Sequence, residues 1–119
     1  MVSLTHFLLR IFPMNDLLLV TDDNLAAMLE NDRPVILAIG ADWCPDCVRA
    51  APFFMQFAKR FADKAVFARA DSDASPAVKA HFNVVHIPTM VVVKNGQEMD
   101  RIVEVKTPGE LLAWIEKNL

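Results

Sequence analysis

Along the chain, short apolar runs alternate with segments whose apolar positions recur every three or four residues. Leu17-Leu18-Leu19-Val20 is a short apolar run and a candidate first strand. Thr21 and Asp22 then offer a cap for a helix carrying Leu25, Met28 and Leu29 at helical spacing, which Asn31-Asp32-Arg33-Pro34 ends. Residues 35–39, VILAI, are continuously apolar, the pattern of a strand covered on both faces. The helical period returns after position 44 with Phe54, Phe57, Ala58 and Phe61. Pro52 falls inside that segment and is expected to kink the helix without ending it, because the pattern continues beyond it. AVFARA (65–70) reads as a third strand, and Ser75-Pro76 as the cap and first residue of a short helix reaching Phe82. TMVVVK (89–94), the turn Asn95-Gly96 and residues 98–105 read as a hairpin. Thr107-Pro108-Gly109-Glu110 is a capping box for a last helix with Leu111, Leu112, Ile115 and Leu119 inward.

The order β-α-β-α-β-α-β-β-α predicts an α/β protein with a mixed central sheet and helices on both faces. Ligand chemistry in such sheets gathers beyond the carboxyl ends of the strands. Strand 35–39 delivers Ala41-Asp42-Trp43-Cys44-Pro45-Asp46-Cys47 to that place.

The chain has 119 residues, enough for one domain with a substantial core, since 54% of them are apolar and 23% charged. A net charge of −3 without a basic block argues against nucleic acid as a partner. Nothing approaches the roughly 20 apolar residues of a membrane span. Residues 1–13 lack the leading basic residue and long apolar run of a secretory signal. They read as an extension, or as the product of a misassigned start before Met14, ahead of a domain at 14–119.

Cys44 and Cys47 are the chain's two cysteines. A bridge across two intervening residues restrains the unfolded chain little, so a structural staple is a poor reading. A helix N-terminus presents unpaired N–H groups and a partial positive charge, which favour a thiolate, and the thiolate is the nucleophile. A second thiol three residues on lies under the same first turn and makes the second step of disulfide exchange intramolecular. Zinc requires four ligands in a structural site. His81 and His86 are the candidates to join the cysteines, but they read more simply as ordinary surface or core histidines.

Trp43-Cys44-Pro45-Asp46-Cys47 after an apolar strand, with Ile87-Pro88-Thr89 before a later strand and Lys94-Asn95-Gly96 in the next turn, resembles the thioredoxin family over residues 15–119. The Pro45-Asp46 dipeptide resembles the small WCPDC-bearing group of that family. The resemblance implies a thioredoxin fold and a disulfide oxidoreductase in which Cys44 attacks and Cys47 resolves. Trp43 would shield the site. Pro88 would be cis, and Ile87 would offer backbone bonds to a substrate strand, with Thr89 completing the motif. It also implies no cofactor beyond a Cys44–Cys47 disulfide, protein disulfides as substrates, and an electron donor such as a thioredoxin reductase. A monomer in the reducing cytoplasm is the expected setting.

Three positions depart from the family's pattern. Ala38 stands where a buried aspartate relays a proton to the resolving cysteine, so Asp46 acting through water is an alternative relay. Glu104 stands where a groove glycine is usual, and with Asp42 and Asp46 it is expected to form an acidic rim. Gly40 replaces an aromatic residue, which is expected to loosen packing beneath the motif. The competing readings are a thioredoxin-fold adaptor whose redox cycle is secondary, and an iron–sulfur cluster shared between two chains, for which no glutathione-binding signature is present.

Overall fold

The computed structural model describes residues 17–119. The expected extension at 1–13 lies outside the described residues. Five strands form one mixed sheet: β1 (Leu18–Leu19), β2 (Val35–Gly40), β3 (Val66–Asp71), β4 (Thr89–Lys94) and β5 (Gln97–Val103). Four helices intersperse them: α1 (Leu25–Leu29), α2 (Pro45–Arg60), α3 (Pro76–His81) and α4 (Pro108–Asn118). The strand order is β1-β3-β2-β4-β5. β1 and β2 run parallel to β3, whereas β4 runs antiparallel to both β2 and β5.

The continuous apolar run of β2 resolves into two faces because side chains alternate along a strand. Ile36 packs with Phe54, Phe57, Phe67, Met90, Leu111 and Ile115 beneath α2 and α4. Val35, Leu37 and Ile39 pack on the other face with Val20, Met28, Val78 and Phe82, beneath α1 and α3. Ala38 packs beside the first cluster, with Arg69 of β3 opposite it in register.

α2 runs through Pro52 to Arg60 without a break. The β4–β5 turn is made by Asn95 and Gly96, both at positive φ, the pair a two-residue hairpin requires. A bulge at Val92/Val93 shifts the register of β5, which ends at Val103 and not at Val105.

The helix starts differ from expectation in their donors and acceptors. Asn24 occupies the cap position of α1 without a side-chain bond to the helix, and its side-chain oxygen accepts from the Thr21 N–H at 2.7 Å. Asp22 turns instead to α3: its carboxylate accepts from the N–H groups of Ala77 and Val78 at 3.0 and 3.1 Å. Ser75 occupies the cap position of α3 without a side-chain bond. Thr107 accepts from the Glu110 N–H as expected, but the Glu110 carboxylate returns to the Lys106 N–H, one residue earlier than a capping box places it. On α4, Leu111, Trp114 and Ile115 are buried. Leu119 is exposed, because the helix ends at Asn118 and leaves it beyond the last packed turn.

Candidate active site

Cys44 is the N-cap of α2, with Pro45 at its first helical position. Proline there lacks an N–H that would have no partner in any case, and its fixed φ suits the helix. The Cys44 sulfur accepts from the Cys47 N–H at 3.3 Å, so a backbone donor of the first turn points at the residue expected to become a thiolate. The Cys44 thiol donates to the Ile87 carbonyl at 3.8 Å. Both cysteines are free, Cys44 being buried and Cys47 half-buried.

The Ile87–Pro88 peptide bond is cis. Thr89 is buried and its hydroxyl donates to the His86 carbonyl at 2.5 Å, which ties the loop before β4. The Pro88 carbonyl accepts from the Glu104 N–H at 2.8 Å. The loop bearing Ile87 and Pro88 is thus held against both α2 and the end of β5. Trp43 is 68% exposed, and its indole N–H donates to the Asp73 carboxylate at 2.6 Å. Asp73 thereby holds the orientation of Trp43. Val48 and Val85 are further exposed apolar side chains in these segments.

Asp46 pairs with Arg49 and, at 3.5 Å, with Lys106. Glu104 lies 3.4 Å from His86 Nδ1 and 3.9 Å from Lys106. Of the three carboxylates expected to form an acidic rim, Asp46 and Glu104 are thus paired with Arg49 and Lys106, and Asp42 is exposed. Glu104 adopts φ of +53°, the left-handed backbone that explains a preference for glycine there.

The expectation of loose packing at Gly40 is corrected. A Cβ built there would lie 2.9 Å from Cys47 Sγ, so the resolving cysteine occupies the space a side chain would need. Beside it opens a cavity of about 490 Å³ lined by Ala38, Gly40, Cys47, Arg69, Pro88 and Met90 among others. Burial, followed by the hydrogen bond with Cys44, pushes the Cys47 thiol up to about 12. Arg69 was passed over in the sequence, yet pairing with Ala38 places it on the cavity face. The register of β2 against β3 was the missing signal.

His81 stacks edge-on against Phe82 at 4.7 Å, and His86 faces Glu104. Among the described residues no group of three or more histidines, cysteines and carboxylates could hold a metal ion. No described helix is long and apolar enough to cross a membrane.

A family model named Thioredoxin matches residues 16–117. This chain belongs to the thioredoxin family. It is a thiol–disulfide oxidoreductase. Thioredoxin C-3 of Corynebacterium nephridii is 36% identical over 84% of this chain and 69% of its own length. Thioredoxin of Mycolicibacterium smegmatis is 38% identical, covering 84% of this chain and 92% of its own. Thioredoxin of Rickettsia typhi is 32% identical, covering 77% and 88%. Cys44 and Cys47 of this thioredoxin-family chain are spaced as in a Cys-x-x-Cys motif.

Proposed function

We propose that this protein reduces protein disulfides, with Cys44 attacking and Cys47 resolving, and that it works in the cytoplasm with an external dithiol donor such as a thioredoxin reductase. The carrying observation is the placement of Cys44 Sγ at the N-terminus of α2, 3.3 Å from the Cys47 N–H and beside cis-Pro88.

In the first step the Cys44 thiolate attacks one sulfur of a partner disulfide. A new sulfur–sulfur bond forms, the partner's bond breaks, and the leaving sulfur takes a proton. Ile87 and Pro88 offer an edge against which an extended partner segment lies, and Trp43 covers the sulfur beside it. In the second step Cys47 gives up its proton and attacks Cys44 Sγ. The Cys44–Cys47 disulfide forms and the partner leaves with two thiols, having gained two electrons and two protons. No cofactor is required beyond this sulfur pair. A reducing compartment keeps the dithiol form supplied.

The elevated Cys47 pKa makes its deprotonation the demanding part of the second step, and Ala38 supplies no carboxylate to assist it. We assign Asp46 to shaping the entrance, since Arg49 and Lys106 already hold its carboxylate.

Reduction of insulin by dithiothreitol tests the roles. Cys44→Ser is expected to abolish catalysis. Cys47→Ser is expected to accumulate a mixed disulfide through Cys44, seen as a dithiothreitol-sensitive adduct by mass spectrometry. An unimpaired Cys44→Ser variant would sink the assignment of Cys44 as the attacking thiol, and a wild-type pair that forms no reversible disulfide would put the adaptor reading in its place. The Cys44–Cys47 potential in glutathione buffers tests direction: near or below about −240 mV supports a reductase, and above about −180 mV an oxidant or isomerase.

A further inference from the structure

The cavity beside Cys47 has the build of a ligand site. Its volume of about 490 Å³ falls in the range of small-molecule pockets, about 300–1,000 Å³. Its walls are apolar, including Ala38, Ala51, Pro52, Phe54, Met55 and Met90. It lies between α2 and the sheet toward the carboxyl ends of β2 and β3, where open α/β sheets take ligands. The small side chains of Ala38 and Ala51 leave the space.

Three charged residues line it: Asp42, Arg69 and Asp71. The Asp71 carboxylate is engaged, accepting from the N–H groups of Asp73 and Ala74 at 2.8 and 3.1 Å. Asp42 is exposed to solvent. Arg69 differs from both. Its Nε is buried and has no hydrogen-bond partner among the described residues. A buried donor left unpartnered is unfavourable, more so when charged, so a ligand that accepts from it gains on entry. The guanidinium fork matches a carboxylate with two parallel bonds.

We propose that this cavity binds a small organic carboxylate with an apolar body, its carboxylate on Arg69 and its body against Ala38, Phe54 and Met90. The bound molecule lies alongside Cys47. The inference concerns binding alone and stands independently of the redox roles assigned above.

The test titrates reduced, full-length protein with sodium octanoate while amide shifts are followed by NMR. Octylammonium chloride at equal ionic strength is the wrong-charge control. Saturable shifts are expected at Gly40, Cys47 and Arg69, with a Kd at or below about 1 mM and at least about tenfold weaker binding of octylammonium. Arg69→Met is expected to weaken octanoate binding by about tenfold or more. Absence of saturation overturns the proposal. So does equal affinity for the two amphiphiles in the wild-type protein, a comparison that holds even where the variant fails to fold. An Arg69→Met protein that folds and binds octanoate unchanged also overturns it.

Discussion

Glu104 holds a left-handed backbone at the edge of the candidate groove. A side chain there costs roughly 1–2 kcal/mol relative to glycine. Glycine would relieve that strain but would cost about 0.4–1 kcal/mol through the freedom of the unfolded chain. The exposed pairs with His86 and Lys106 contribute only about 0–1 kcal/mol. These terms nearly cancel. Glu104→Gly is expected to shift stability by less than about 1 kcal/mol in urea unfolding, whereas β-branched Glu104→Val should lose more than that. A large loss for glycine would show that the side-chain pairs carry the position. That Glu104 falls where glycine is usual was legible in the sequence. Its contact with His86 was not, because His86 reaches it from the loop before β4.

At the scale of elements, the helix starts show how local signals are redistributed. Ser75-Pro76 is a sound cap signal, and α3 does begin at Pro76. The capping oxygen nevertheless comes from Asp22, more than fifty residues earlier, because the strand order sets the β1–α1 loop beside that end of α3. Asp22→Ala is expected to cost about 1 kcal/mol, the usual loss for a cap, read as a lower urea midpoint. Ser75→Ala should cost much less. The reverse ranking would return the cap to Ser75. α4 is tied in a comparable way: Asn118 donates to Asp100 of β5 at 3.0 Å, and this bond holds the Asp100 carboxyl below its usual range. Helical periodicity identified Leu111 and Ile115. It missed Trp114, which is buried because α4 crosses the sheet with that side chain facing the phenylalanine cluster.

For the whole molecule, folding withdraws the Cys47 thiol from water and thereby couples stability to pH in the dithiol form. The thiol pKa rises from 9.0 to about 12 on folding. The folded state therefore keeps a proton that the unfolded state releases. Stability from this group is complete below pH 9.0 and is lost as pH rises toward 12. The disulfide form has no thiol to titrate. The urea midpoint of the reduced protein should thus fall relative to that of the oxidised protein between about pH 9 and pH 10.5. A constant difference across that interval would mean that Cys47 titrates alike in both states.

The strands, the helices and the redox pair were all written into local pattern. Apolar runs of five or six residues, helical spacing and the Trp-Cys-Pro-Asp-Cys motif are properties of neighbouring residues, and the folded chain keeps them. Gly40 beneath Cys47, Asp22 on α3, Asp73 on Trp43 and Arg69 opposite Ala38 depend on which strands lie side by side and in what register. Two apolar runs state that each will be covered, but not by which partner. That choice belongs to the packed sheet, where burial on both faces selects one arrangement. The same packing turns a motif of five residues into a site with a loop against it and a cavity beside it.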